Sequence, residues 1–302
     1  MNFTYPKYDK IDQIAHGRTN DVLTEGTLVL EGGAYRALYT QGALDALMQA
    51  GLNFRNVIGC SAGALSGIGY VAGEIGWCAR INLTYRHDPN YCGAGAMRVD
   101  HGITGFTYLF TEITRAMPLD WTRLDRSDRR FLVVATNVRT GKPVYLDRTV
   151  CDIRRAAQAS ATVPYVSEPV KINGELYLDG GCSVHIPYHY AKEHFPGKQI
   201  VIKTRDNGFR PRPKELHAID HLLYDRWPAF QKAQVQSMLD YGTVLDEIDR
   251  DAAEGKTFVL APEKPIHISH FEGNMETLGA LYFDGYRETK ARIPALLEYI
   301  KS

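Results

Sequence analysis

The sequence lacks an excess of charge of either sign, paired-cysteine motifs, repeats and an uninterrupted apolar run. The 35 Lys and Arg residues balance 35 Asp and Glu, for a formal net charge of zero. That balance excludes a chain built mainly to neutralise phosphates, so no nucleic-acid partner is expected. Only five cysteines occur (Cys60, Cys78, Cys92, Cys151 and Cys182), an odd number with no CxxC pair. A disulfide framework is thereby disfavoured, and a reducing, cytoplasmic location is expected. The first residues, MNFTYPKYDKIDQIAHGR, hold no apolar core of a secretory signal. Asn56 to Gly73 carries no charge, but five glycines, two serines and an asparagine interrupt it. It reads as a buried strand and a tightly packed helix rather than a membrane span.

What is present is ordinary globular sequence, with 44% hydrophobic and 23% charged residues over 302 positions. This length fits two domains or one large α/β domain. Residues 1–25 are polar and mixed, and read as a leader wrapping the domain. Thr27–Leu30 then reads as a short buried strand, and Leu44, Leu47 and Met48 mark one face of a helix capped by Gly51. Val57-Ile58 begins the next strand. Strand, helix, strand at this spacing is a βαβ unit, so a parallel α/β architecture is expected. Residues 82–128 interrupt it. There Phe106, Leu109, Phe110, Ile113 and Met117 form one apolar helical stripe, read chiefly as packing onto the domain. Phe131–Ala135, Gln199–Lys203 and Thr257–Leu260 read as further strands, and Val170–Leu178 as a hairpin about Asn173-Gly174. Met275–Ile300 reads as helix, broken near Pro294.

Three short segments carry chemistry. Gly59-Cys60-Ser61-Ala62-Gly63 is a G-x-S-x-G pentapeptide between strand and helix. A serine nucleophile on so sharp a turn needs neighbours without bulk, here Gly59 and Gly63. Cys60 reads as a buried small residue. Glu31-Gly32-Gly33-Ala34-Tyr35-Arg36 opens a helix after a strand, where free backbone N–H groups and the helix dipole favour negative charge. Leu178-Asp179-Gly180-Gly181 places a carboxylate at a strand end. Each has a plainer reading as a turn.

Together and in this order, the three segments resemble the patatin-like phospholipase family. The matching stretches are LVLEGGAYRALYTQGALDAL, IGCSAGAL and LYLDGGCSVHIPYHYA. FLVVATNVRTGKPVYL, ASATVPYVSEPV and the C-terminal run also resemble bacterial members, so the likeness extends from about residue 26 to 300. It implies one α/β domain over 1–302: a three-layer α/β/α fold, a mostly parallel central sheet and a helical cap at 82–128. It implies a serine acyl hydrolase acting on lipid esters, with Ser61 as nucleophile and Asp179 as its base. Backbone N–H groups of Gly32, Gly33 and Ala34 would form the oxyanion hole, and Arg36 would support the loop or an anionic head group. No metal or organic cofactor is implied; the partners are an ester substrate and, transiently, a membrane surface. Two positions depart from the family pattern, Ala34 and Ala37, where glycine is usual. Alanine is strained if position 34 needs a positive φ.

Rival readings remain. A Ser-His-Asp hydrolase would use a histidine, with His185 the one to watch. His185/His189 and His217/His221 are spaced as ligand pairs on a helix, but lack a third ligand. Gly67-Ile-Gly69-Tyr-Val-Ala72 resembles a dinucleotide fingerprint, displaced into a helix. A lipid- or acyl-binding protein without turnover, or with weak turnover, is the alternative from another class.

Overall fold

The computed structural model describes residues 5–302. Its main sheet has eight strands: β1 (Thr24–Leu30), β2 (Phe54–Cys60), β3 (Arg130–Asn137), β4 (Pro143–Leu146), β5 (Val170–Ile172), β6 (Glu175–Asp179), β7 (Gln199–Ile202) and β8 (Thr257–Leu260). The order is β8-β7-β1-β2-β3-β6-β5, with β4 also on β3. Strands β8, β7, β1, β2 and β3 run parallel. Strands β4, β6 and β5 are antiparallel to their neighbours.

The main helices are α1 (Ala37–Gln49), α2 (Ala62–Ala72), α3 (Trp77–Tyr85), α4 (Ile153–Ser160), α5 (Tyr188–His194), α6 (Pro228–Ala253) and α7 (Met275–Lys301). The strands are apolar at consecutive positions because both faces are covered. Leu28, Leu30, Val57 and Val133 pack with Leu38 and Leu47 of α1, Ile68 of α2 and Leu278 of α7. Val29, Ile58, Val134 and Val201 face the other way, onto Ala191 of α5 and Leu245 and Ile248 of α6. The result is a sheet between two helical layers. Among the described residues no helix is long and apolar enough to cross a membrane.

The uncharged stretch Asn56–Gly73 is β2 and α2, with three glycines at contact points. A Cβ at Gly59 would lie 2.7 Å from the Ala64 nitrogen, one at Gly63 2.6 Å from the Glu31 carbonyl, and one at Gly67 2.7 Å from the Phe131 ring. Residues near the N-terminus lie against the domain, with Tyr8 and Ile14 buried and Gly17-Arg18 pairing with Glu74-Ile75. In the 82–128 region, Phe106, Leu109 and Ile113 are buried in the core, while one turn over Leu109–Ile113 widens to π geometry. Phe110 is half-buried.

The break expected near Pro294 is absent: α7 runs unbroken from Met275 to Lys301 with Pro294 inside it. Proline removes one backbone bond there, but the turn beyond it is anchored. Leu296 is buried, and the Tyr299 hydroxyl donates to the Lys256 carbonyl at 2.8 Å. Tertiary contacts thus override the local signal.

Candidate active site

Strand β3 brings the distant motifs together. Cys60 at the end of β2 pairs with Val134, while Asp179 at the end of β6 pairs with Ala135, the next residue along β3. β4 occupies the opposite edge of β3, so β2 and β6 meet tip to tip on the same edge. The residue after Cys60 is Ser61, and its Oγ donates a hydrogen bond to Asp179 Oδ2 at 2.6 Å.

Both partners are held in place. Ser61 sits at φ 53°, ψ −124°, a backbone conformation that side chains rarely adopt and that stores about 1–3 kcal/mol. Its N–H donates to Ser160 Oγ at 2.8 Å. The close approaches at Gly59 and Gly63 permit this turn, since a Cβ at either would meet backbone atoms. Asp179 Oδ1 accepts the Gly181 N–H at 2.8 Å, and its backbone carbonyl accepts from Thr136 Oγ1 at 2.8 Å. Burial pushes the Asp179 carboxyl up to about 6, against the opposing pull of the Ser61 and Gly181 hydrogen bonds.

The Glu31–Arg36 loop lies beside Ser61: a Cβ on Gly32 would be 3.2 Å from the Ser61 Cβ. Thr204, just past β7, pins the loop by donating from Oγ1 to the Gly32 carbonyl at 3.0 Å. Thr204 N–H and the Tyr241 hydroxyl donate to the buried Glu31 carboxylate. The three expected oxyanion donors are not equivalent. Gly32 N–H already donates to the His185 carbonyl at 3.2 Å, whereas among the described residues Gly33 and Ala34 have no such backbone acceptor. Ala34 has φ 48°, in the left-handed region. Ala37 is in ordinary right-handed helical geometry and needs no glycine. Ala34→Gly is therefore expected to stabilise the fold by about 1 kcal/mol, read as a higher urea midpoint at unchanged slope.

The other candidates fall into place. Cys60 is fully buried, and burial pushes its thiol up. His185 makes no hydrogen bond to Ser61; its ring stacks on Tyr241 at 4.5 Å, and burial pushes it down to about 4. It precedes α5, so His185 and His189 share no helix face. His217 caps the short helix that contains His221. Gly67 and Gly69 lie within α2.

Two cavities meet at Ser61. One is narrow, about 100 Å³, and is walled by Leu65, Ile68, Trp77, Ile81, Leu109 and Phe110. Ser61 immediately precedes α2, and Leu65 and Ile68 follow along it at helical spacing, so this wall is roughly 10 Å long. The other, about 400 Å³, includes Arg36, Asp179, His185, Lys214 and Gln234. Lys214 and Gln234 carry no recognisable motif, and sequence reasoning missed them. The arrangement offers a hydroxyl nucleophile, an adjacent carboxylate, free N–H donors and two cavities, of which the second carries the charged side chains Arg36 and Lys214.

Comparison with known proteins gives two family matches. The model described as patatin-like phospholipase matches residues 28–192, more than half of the chain. A domain of unknown function (DUF6363) matches residues 228–301. The chain is 26% identical over 252 residues to the uncharacterized protein YjjU of Escherichia coli K12, covering 80% of this chain and 69% of that protein. It is 28% identical over 203 residues to the probable lipid hydrolase 463L of invertebrate iridescent virus 6, covering 59% and 69%. The solved structure of VipD from Legionella pneumophila aligns with a TM-score of 0.45 at 14% identity, covering all of this chain and 72% of that one.

Proposed function

The chain belongs to the patatin-like phospholipase family, and we propose that Ser61 and Asp179 are the dyad of a carboxylic ester hydrolase acting on lipids. At the level of the family the chain is a lipid hydrolase; the dyad, the bond cleaved and the site residues go beyond that level. The observation that carries it is the 2.6 Å bond from Ser61 Oγ to Asp179 Oδ2 where the two cavities meet.

In this reading the acyl chain lies in the cavity walled by Leu65, Ile68 and Trp77 and the alcohol portion in the one that carries Arg36 and Lys214. Ser61 Oγ attacks the ester carbonyl carbon as its proton passes to Asp179 Oδ2. The carbonyl oxygen becomes an oxyanion, accepted by the N–H groups of Gly33 and Ala34. Collapse breaks the bond to the alcohol oxygen, which takes the proton from Asp179. A water then gives its proton to Asp179 and attacks the acyl-Ser61 carbonyl. The acid leaves, and the proton returns to Ser61. No histidine takes part. A cytoplasmic site of action with transient contact at a membrane surface belongs to the same reading.

The base works only as the carboxylate, so acidification removes activity. With Asp179 at about 6, kcat/KM is expected to fall about tenfold per pH unit below that value. An unperturbed aspartate would put the limb near pH ~3.9. A pH profile on a neutral ester, taken where the protein stays folded, checks the limb. The function itself is tested by comparing wild type and Ser61→Ala on lipid esters. The hydrolase reading requires turnover by the wild type only. Lipid binding by both without turnover by either supports the binding-protein alternative.

A further inference from the structure

Glu31 is a buried carboxylate that the proposed chemistry does not use. It lies between the end of β1 and Gly32, and it is 1% exposed. A buried charge opposes folding unless hydrogen bonds and opposite charge offset it. Here one oxygen accepts the Thr204 N–H and the other the Tyr241 hydroxyl. Burial pushes the carboxyl up, while those two hydrogen bonds and the charges of Arg36 and Lys203 pull it down. Among the described residues, neither Glu31 nor Tyr241 lines either cavity at Ser61. Any effect of the pair on the reaction therefore passes through the backbone it holds.

That backbone is the loop carrying Gly33 and Ala34, and its supports converge on Tyr241. The Glu31 side chain bonds the Tyr241 hydroxyl directly. The Gly32 N–H donates to the His185 carbonyl at 3.2 Å, and the His185 ring stacks on Tyr241 at 4.5 Å. The Gly32 carbonyl accepts from Thr204 Oγ1 at 3.0 Å, and the Thr204 N–H returns to Glu31. Two residues after Gly32, Ala34 stands at φ 48°. A side chain persists in that region only where its surroundings over-determine the backbone. Tyr241 is itself part of α6, which a second buried group ties to the same corner. Lys203 is fully buried, with Nζ 3.5 Å from Oδ1 of Asp249 on α6.

We propose that Tyr241 is a positioning residue for ester hydrolysis: through Glu31 and His185 it fixes the loop whose Gly33 and Ala34 N–H groups are the oxyanion donors. The proposal rests on the hydrolase reading and adds a residue from outside the patatin-like match. Tyr241 lies in the 228–301 segment, while Glu31, the loop and His185 lie within 28–192. The C-terminal segment thereby gains a role, since its first helix seats the oxyanion loop of the segment before it. Oxyanion donors act on charge that develops only in the transition state. Loosening the loop therefore lowers kcat and leaves KM in place.

The test measures octanoylglycerol hydrolysis and the rate of Ser61 labelling by a fluorophosphonate on wild type, Tyr241→Phe, Glu31→Gln and the double variant. Tyr241→Phe keeps the ring against His185 and removes only the hydroxyl. Its kcat is expected to fall about ten- to hundredfold, with KM within about twofold of wild type. Ser61 labelling should slow in parallel, since phosphonylation also builds charge on an oxygen. The double variant should be no slower than the slower single variant, as for two ends of one hydrogen bond. Tyr188→Phe is the control, because it removes another buried hydroxyl, bonded to Asp251 of α6 at 2.7 Å. It should lower the urea midpoint and leave kcat within about twofold. Should Tyr241→Phe fail to fold, Glu31→Gln carries the same comparison. Wild-type kcat in the loop variants, losses that multiply in the double variant, or an equal fall in Tyr188→Phe overturns the positioning role and leaves the hydrolase standing. If the wild type neither cleaves the ester nor takes the probe at Ser61, the hydrolase reading fails and the proposal falls with it.

Discussion

Asp179→Asn is expected to lower kcat/KM for ester hydrolysis by about a hundred- to ten-thousand-fold, the usual contribution of a positioned general base. The amide keeps one oxygen for the Gly181 N–H, now accepted by Asp179 Oδ1 at 2.8 Å. It cannot take the Ser61 proton at neutral pH. Stability should move little, because the change relieves the burial that pushes the carboxyl up while weakening one hydrogen bond. The check is kcat/KM on one ester for both proteins, with urea unfolding alongside. A variant retaining a third of wild-type activity would mean that Ser61 is activated by another group.

Gly63→Ala is expected to damage fold and site together. The added Cβ would fall 2.6 Å from the Glu31 carbonyl and 2.7 Å from that of Leu30. These are backbone atoms at the end of β1, so the neighbour cannot turn aside; helix α2 and the strand must separate. Overpacking of this kind costs about 3 kcal/mol. The same displacement moves the loop containing Gly33 and Ala34 away from Ser61, so hydrolysis by the remaining folded protein should be nearly abolished. Gly67→Ala provides the control. Its Cβ would meet the Phe131 ring at 2.7 Å, and a side chain can yield, so a loss of about 1 kcal/mol is expected. Unfolding curves and single-turnover rates for both variants separate a backbone clash from a side-chain clash. Equal losses in the two would contradict the account of why the pentapeptide needs its second glycine.

The local turn geometry was legible because it depends on local sterics. Glycines around Ser61 signalled a turn with no room for a Cβ, and both flanking glycines contact backbone. The positive φ at Ala34 was likewise anticipated as a condition on that position. The layers were legible in part, since buried parallel strands are apolar on both faces, as in Leu28-Val29-Leu30. What escaped the sequence is tertiary. Nothing local says that β2 and β6 end beside each other on β3, or that the Gly32 N–H is taken by the His185 carbonyl. Lys214 and Gln234 gain meaning only from the cavity wall they share with Arg36. Pro294 misled because its helix-breaking tendency is local, whereas the anchors at Leu296 and Tyr299 are not.

Covalent labelling decides whether Ser61 is an activated nucleophile. The folded wild-type protein is treated at neutral pH with a fluorophosphonate, digested, and mapped by peptide mass spectrometry. One adduct is expected, on the peptide carrying Gly59-Cys60-Ser61-Ala62-Gly63, with its bond at Ser61 and labelling slowed at acid pH as Asp179 is protonated. An adduct on a different residue, or none on protein shown to be folded, would contradict it.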